Sequence, residues 1–568
     1  MGRLVRVAQW MALLGPLAAV LYVVLRYGVN IPYADQWDFV SFVVADDRGA
    51  VRWIDLWSPH NEHRMVVPKL LMLALAEATH WNIIVEMLVS VAFAFASLLL
   101  LFALARPTLC EAGPPLRLWA TFTLSVYVFS LAQGTNWLWG WQIQWFLSVF
   151  AAILSIALAT WSLQSPRPWL HIAGAAVAAL VCQLSIASGV VVWAASALVL
   201  AFHPERRRVL VFWLVAATVF TAIYFVGYER PAGLPALAAL EHPVALVLYL
   251  GNYLSGPLGR HAAVGVVVGT AFVVFAIVAA RRHWRQPERF MPWVALGAFA
   301  GVNAVLTAIG RAGLGAVQGL NDRYVTIALL MSVALVPLSI LAFRAGPSGR
   351  WTSLRPFAAV AGAALLTLSA IAVDIRSMAD LAEFNRLMVN SRNCVLTVYA
   401  APDICLKHLH PDLAVVRRAT LQLEELGLTS FADKGGRGPT VSLAGPTGTR
   451  VWDLERIRED SGWVDRVERD GDALVIGGWA RPPRPDMGSA PRVLLTVGKT
   501  IVAEAEVVGP SPGLAAHFVD PTLARSGWSV RVEGDRATSA GGLLRAYVVV
   551  SDGVLRRLAS NVTVLPTR

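Results

Sequence analysis

The sequence predicts a mainly α, polytopic membrane helical bundle, followed by an extracytoplasmic region that ends in a β-sandwich. Three observations carry this. Apolar runs recur between residues 7 and 373, many of them long enough to cross a hydrocarbon core of ~30 Å. Charged residues make up only 15% of the chain against 56% hydrophobic, with mean hydropathy +0.58, whereas a soluble domain carries about a quarter charged residues. Past residue 450 the pattern changes to short β-branched runs punctuated by Gly, Pro and Asp, the spacing of sandwich strands.

The expected spans are 7–26, 83–105, 116–133, 142–161, 169–186, 188–203, 209–228, 262–280, 291–309, 324–343 and 356–373, about eleven in all. The first follows Met-Gly-Arg-Leu-Val-Arg like a signal peptide, but its apolar stretch is too long and no small-x-small site follows, so it reads as a retained helix. The pair 169–203 is divided only by the short hinge Ser185–Gly189. Net charge is +11, and Lys occurs only at Lys69, Lys407, Lys434 and Lys499. The Arg residues fall in alternate short loops: Arg106 and Arg117; Arg167; Arg206 to Arg208; Arg281 to Arg289; then Arg344, Arg350 and Arg355. That is the positive-inside pattern and not a nucleic-acid footprint. It places the N-terminus in the cytoplasm of an inner (plasma) membrane protein. An odd number of spans then puts everything after 373 outside.

Residues 1–373 therefore read as the membrane domain, 374–434 as an outer helical region and 440–568 as the sandwich, with Gly435–Pro439 as linker. Val66–Glu77 is apolar but short and reads as a helix lying in the interface. Residues 244–258 look similar. Pro411 to Leu426 has helical spacing. Cys394 and Cys405, on the outer side, are expected to form a disulfide because an oxidising compartment favours closure of such a short loop.

Four polar clusters sit at outer helix ends. Tyr33-Ala-Asp-Gln-Trp-Asp38 follows the first span. Asp35 or Asp38 is suited to take a proton from an acceptor hydroxyl, and Tyr33 and Trp37 offer faces for a sugar. The plainer account makes the acids solvated loop residues. His60-Asn61-Glu62-His63-Arg64 concentrates five polar side chains before the interfacial helix. The spacing does not match His-Glu-x-x-His, so hydrogen bonding to hydroxyls or phosphate is the stronger reading, against a plain helix cap. Asn136, Trp139 and Gln142 stand in a loop with several indoles, where an aromatic belt is the default. Asn321-Asp-Arg323-Tyr324 opens the tenth span. There Arg323 can grip a phosphate bidentately, with snorkelling or an ion pair to Asp322 as the alternative. Arg260 and Arg311 are further phosphate candidates.

On these residues the chain resembles the GT-C superfamily of polyprenyl-phosphate-dependent integral membrane glycosyltransferases. The resemblance covers residues 1–373, through Tyr33–Asp38, Pro59–Arg64, Asn136–Gln142 and Asn321–Tyr324. It implies inverting transfer of a sugar from a polyprenyl-phosphate donor to a glycan or lipid-linked acceptor on the outer face, in membrane lipid and without nucleic acid. Asp35 or Asp38 then matches the acid of the first outer loop and Arg323 the phosphate-binding arginine. Gln-Trp separates the two acids, so a clean Asp-x-Asp is absent; no cofactor is required and a divalent metal stays open. The terminal sandwich resembles carbohydrate-binding modules. Two other classes compete: an O-antigen-type ligase or polymerase, resting on Arg260, Arg311 and Arg323, and a transporter or flippase of lipid-linked sugars.

Overall fold

A computed structural model describes residues 3–228, 243–343, 355–396, 398, 401, 403–432, 440–455, 462–481, 491–517, 521–533, 544–551 and 553–560. The linker Gly435–Pro439, Arg344, Arg350 and residues 229–242 of an expected outer loop lie outside them. The chain divides into two compact units, Met1–Asn30 with Phe42–Arg386 and Ile31–Ser41 with Leu387–Arg568. The first polar cluster thus groups with the C-terminal region, and the boundary falls at 386 instead of 373.

The first unit is helical. Six of its helices are long and apolar enough to cross a membrane: Ile83–Glu111, Gly140–Ser162, Arg206–Phe225, Ala262–His283, Pro287–Leu314 and Asp322–Phe343. The other expected spans fall on helices outside these six. Leu13–Tyr27, Pro168–Gln183 and Ala187–Leu200 are shorter apolar helices, and Pro114–Val128 has 15 residues. The Ser185–Gly189 hinge explains the short pair. Gly189 packs against the Cys182 carbonyl with no room for a side chain, and a 3₁₀ turn over Ala187–Val190 interrupts the α-helical run. The span expected at 356–373 lies in Arg355–Val395, a 41-residue helix that continues past it without a break.

Similarly apolar helices take opposite positions. Asp322–Phe343 is buried along most of its length, whereas Arg206–Phe225 exposes Phe212, Leu214, Val215, Val219 and Ile223. A contiguous exposed apolar face of this kind marks contact with lipid or protein. Inside the bundle, some polar side chains pair with one another. Ser155 Oγ donates to the Ala175 carbonyl and meets Ser196 Oγ, both at 3.0 Å. The short apolar helix expected at Val66–Glu77 forms over Val66–Thr79 and buries Val66, Lys69, Met72, Leu73 and Ala76 on one face.

In the second unit, Leu413–Leu426 is a helix bounded by legible caps. The Asp412 carboxylate accepts from the Ala414 and Val415 amides, and Gly427 ends it at φ +62°. Cys394 and Cys405 are joined by a disulfide, with Cα atoms 6.3 Å apart. Ten strands follow: β1 Thr440–Gly445, β2 Gly448–Glu455, β3 Gly462–Asp470, β4 Ala473–Ala480, β5 Arg492–Val497, β6 Thr500–Glu506, β7 Gly527–Glu533, β8 Leu544–Ser551, β9 Val554–Arg557 and β10 Ala559–Ser560. The open two-sheet sandwich expected from the sequence is corrected here. Strands β1-β2-β9-β8-β5-β6 close into a barrel, and β10-β3-β4-β7 form a separate four-stranded sheet. Closure comes from two parallel contacts, β2 with β9 and Ala444 with Thr500, which leave the barrel no free edge. Leu443, Leu494, Tyr547 and Leu555 form a core among barrel strands. Ile476, Trp528 and Val532 of the sheet pack with Val493, Leu495 and Val548 of the barrel.

Candidate functional site

His60 to His63 form a two-residue turn. The His60 amide donates to the His63 carbonyl at 2.8 Å and the His63 amide returns to His60 at 2.9 Å. Asn61, exposed at the tip, takes φ +51°, a left-handed conformation that Asn tolerates. The turn presents its side chains to three other segments. The His60 ring meets Trp141 edge-on at 4.9 Å, and His63 meets Trp145 at 6.4 Å. Glu62 Oε1 accepts from Arg311, at the end of Pro287–Arg311, in a close ion pair that leaves each side chain about a quarter exposed.

His63 has a fixed tautomer. The Ala187 amide donates to its Nδ1 at 3.1 Å, so the neutral ring carries its proton on Nε2, which lies 3.9 Å from Glu62 Oε1. Burial lowers the His63 pKa to about 4, and the charges of Arg311, His60 and Arg323 act in the same direction against the opposing carboxylate. For Glu62, burial raises the pKa, but His63 and Arg311 together draw it below its ordinary value.

Aromatic side chains line this cluster. Tyr324 is buried, stacks on Tyr253 at 5.3 Å and meets Tyr249 and Trp145 at 6.5 and 6.2 Å. Arg323, half-buried beside it, lies over the Tyr324 ring at 5.4 Å. It makes no hydrogen bond or ion pair among the described residues. The site thus carries one carboxylate already paired, one neutral imidazole and one half-buried guanidinium with open donors. Such a donor set suits an oxyanion, and a planar fork suits phosphate.

The remaining expected residues divide by position. Asp322, at the start of Asp322–Phe343, accepts from the Thr135 amide at 3.1 Å and from Arg260 at 3.2 Å. Asn136 Nδ2 donates to the Asp322 carbonyl and to Thr326 Oγ1, both at 2.8 Å. Gly134 takes φ +31° and leaves no space for a Cβ against the Asp322 carboxylate. Arg260 and Asn136 therefore join loop ends together, with Arg260 also held by the Leu320 carbonyl at 2.8 Å. Trp139 is partly buried at the start of the 3₁₀ turn Gly140–Gln142. Gln142 is 2% exposed and its Oε1 finds no donor among the described residues.

Arg64 is corrected. The expected substrate ligand is 1% exposed, and its guanidinium donates to the carbonyls of Tyr224, Trp57 and Val226 at 2.6–2.7 Å. Two of these carbonyls belong to the end of Arg206–Phe225, where the helix dipole favours a cation. Its role is to hold the fold around the turn. Lys69 does the same for Trp53–Trp57, donating to the Asp55, Leu56 and Ser58 carbonyls at 2.8–3.3 Å. Trp37 is also corrected: it is 1% exposed, so its face is closed to a sugar.

In the second unit, Tyr33 and Asp35 are half-buried, and burial together with the Asp35 charge raises the Tyr33 pKa. Asp38 sits in the first turn of Gln36–Asp47, 45% exposed, with Oδ1 3.6 Å from His410 Nε2. His410 Nδ1 lies 3.1 Å from the Asp412 amide and 3.2 Å from the Asp412 carbonyl. The sequence reading missed His410, Tyr249 and Tyr253; no spacing signal linked them to residues so far away in the chain. Among the described residues no three His, Cys, Asp or Glu side chains gather to hold a metal ion. No family model, curated protein or solved structure matches the chain.

Proposed function

We propose that the chain is an integral membrane glycosyltransferase, moving a sugar from a polyprenyl-phosphate donor to a glycan or lipid-linked acceptor on the outer face, with inversion. The observation that carries this is Arg323, a half-buried guanidinium with open donors beside an aromatic-lined cluster at an apolar helix start. In this reading the acceptor oxygen forms its bond to the anomeric carbon as the bond to phosphate oxygen breaks. The phosphate leaves with the electron pair, and Arg323 stabilises the growing charge. The acceptor proton passes to a carboxylate. The sequence offers Asp35 and Asp38 as the candidates for that carboxylate.

The ligase reading, with Arg260, Arg311 and Arg323 acting together, is weakened because Arg260 is paired with Asp322 and Arg311 with Glu62. The test is incubation of the purified protein with radiolabelled polyprenyl-phosphate sugars and candidate acceptors. Transfer to product supports the reading. Movement of the intact lipid-linked sugar across vesicles without product defeats it in favour of a flippase.

Orientation belongs to the same proposal: cytoplasmic N-terminus, inner membrane, C-terminal region outside. A cysteine introduced near Gly435 is expected to react with an impermeant reagent in intact spheroplasts. Labelling only after lysis would invert the topology and remove the outer-face reading.

A further inference from the structure

The Tyr33–Asp38 segment follows the first apolar helix in the chain, yet it belongs to the second unit. Residues from far along the chain hold it. The segment turns into Gln36–Asp47 through two local bonds, from the Gln36 amide to the Tyr33 carbonyl at 3.1 Å and from the Trp37 amide to the Ala34 carbonyl at 3.0 Å. Ala34 there takes φ +46°, a left-handed conformation that a residue with a Cβ keeps only where its surroundings hold it. A backbone bond supplies the hold: the Ala34 amide donates to the Leu409 carbonyl at 2.7 Å. One turn on, Asp38 Oδ1 stands 3.6 Å from His410 Nε2. Residues 409 and 410 thus meet both ends of the acidic segment.

Residues 403–410 are themselves fastened. Asp403–Leu406 is a single helical turn, and the Lys407 and Leu409 amides continue it, donating to the Asp403 and Leu406 carbonyls at 2.9 Å. Leu406 and Leu409 are fully buried. A helix this short has no stability of its own, so ties from other segments fix it. The disulfide joins Cys405 to Cys394 in the last turn of Arg355–Val395, and Ser391 Oγ of the same helix donates to the Cys405 carbonyl at 3.3 Å. Arg417 of Leu413–Leu426 donates to the Val398 and Ala401 carbonyls at 2.7 and 3.1 Å and to Asp403 Oδ1 at 2.7 Å. Both cysteines are partly exposed, which opens the bridge to a small reductant.

We propose that the Cys394–Cys405 disulfide is a redox latch for the Asp35–Asp38 segment, closed when oxidised and released by a dithiol. The step is thiol–disulfide exchange. The dithiol gives up two electrons and two protons and leaves as a cyclic disulfide; the protein's S–S bond breaks and two cysteine thiols form. The consequence is local. The bridge spans a sequence separation of 11, and breaking it returns chain entropy to the opened state of this loop, so local opening of 403–410 becomes easier. When the Leu409 carbonyl moves away, Ala34 loses the partner that keeps it left-handed, and Asp35 and Asp38 lose their fixed orientation. The inference rests on the glycosyltransferase reading only in its effect on transfer; the loss of order in 31–41 does not depend on it.

The test follows the full-length protein, oxidised or reduced with dithiothreitol, by hydrogen exchange and mass spectrometry. Reduction is expected to speed exchange about 10–100-fold in peptides covering 31–41 and 403–412. Peptides from Asp322–Phe343 and from β5 and β8 are expected to keep their rates. The double variant Cys394→Ser, Cys405→Ser should behave as the reduced protein. If it does not fold, reduction of protein already folded carries the test. Arg417→Gln leaves the bridge in place, weakens the other tie and should loosen the same two stretches. Unchanged exchange at 31–41 on reduction would overturn the proposal, because the bridge would then fasten only its own loop. A rise spread evenly over bundle and barrel would overturn it as well, making the bridge a general stabiliser. Transfer is read on the same samples and is expected to fall on reduction and return on reoxidation. Undiminished transfer by protein whose 31–41 stretch has loosened would also overturn the latch. Loosening of 31–41 in a protein that transfers no sugar in either state supports the latch and defeats the glycosyltransferase reading, so the two claims fail separately.

Discussion

Arg64 and Arg323 are the same residue type, both at the edge of apolar helices, and the sequence assigns both to the substrate. The structure separates them. The surroundings of Arg64 supply three carbonyls at 2.6–2.7 Å and the rings of Trp57 and Tyr224. Among the described residues, Arg323 has only the face of its neighbour Tyr324. A buried cation whose donors all meet backbone acceptors fixes a fold. A half-buried cation with open donors is poised for an anion supplied from elsewhere. Paired and unpaired charge, more than burial, distinguish framework from candidate site.

Breaking the framework side should have the larger effect. Arg64→Ala leaves three carbonyls of the Trp57 and Tyr224–Val226 segments without their donor. Hydrogen bonds to charged groups are worth about 1.5–3 kcal/mol each, so a loss of more than about 4 kcal/mol is expected. It would be read as failure to recover monodisperse protein, with Arg64→Lys only partly restoring it because one ammonium cannot reproduce the fork. A well-folded, stable Arg64→Ala protein would erase the contrast.

The site side should show the opposite signature. Arg323→Ala is expected to melt close to the parent protein while turnover falls by about 10²–10³, the effect of removing one oxyanion donor. Arg323→Lys should recover part of it. Transfer at the parental rate by a folded Arg323→Ala protein would end its assignment to the phosphate.

His63 sharpens the comparison by pH. Its pKa lies near 4 in the fold against about 6.5 in the unfolded chain. Between those values the unfolded chain binds more protons. The associated stability is therefore complete above pH 6.5 and is lost as pH falls toward 4. At about 1.4 kcal/mol per pK unit this amounts to roughly 3–4 kcal/mol. Thermal melts between pH 7 and 4 should show a loss in the parent that His63→Gln lacks; parallel curves would show that burial does not hold the ring neutral.

The smallest effect expected is the coupling of Glu62 with Arg311. Both are about a quarter exposed, so a double-mutant cycle of Glu62→Gln and Arg311→Gln on melting should give about 1–2 kcal/mol, between surface and buried pairs. Additive effects would mean that the pair contributes no stability as a unit.

Much of the local structure was legible in the sequence because local rules govern it. Apolar runs marked the helices, the spacing of Pro411 to Leu426 marked the helix Leu413–Leu426, and five of the strands followed from β-branched runs. β3 was missed because Gly-Trp-Val-Asp-Arg-Val-Glu-Arg-Asp places most of its side chains in solvent, apart from Gly462 and Val464. The candidate site was half legible. His60 to His63, Arg311 and Arg323 were each named, but nothing in their spacing tied residue 62 to residue 311.

What the sequence determined by itself is therefore composition-driven: apolar helices, a change to strands after about 450, and polar clusters at helix ends. Tertiary structure decided the rest. Asp322–Phe343 and Arg206–Phe225 are similarly apolar, yet one is a core helix and the other exposes its side chains, because packing depends on which neighbours surround a helix. The barrel closes through β2 with β9 and β1 with β6, pairings between distant segments that period-two alternation cannot specify. Whether an arginine is committed to carbonyls or left open likewise depends on backbone ends brought from far along the chain, as Tyr224 and Val226 are brought to Arg64.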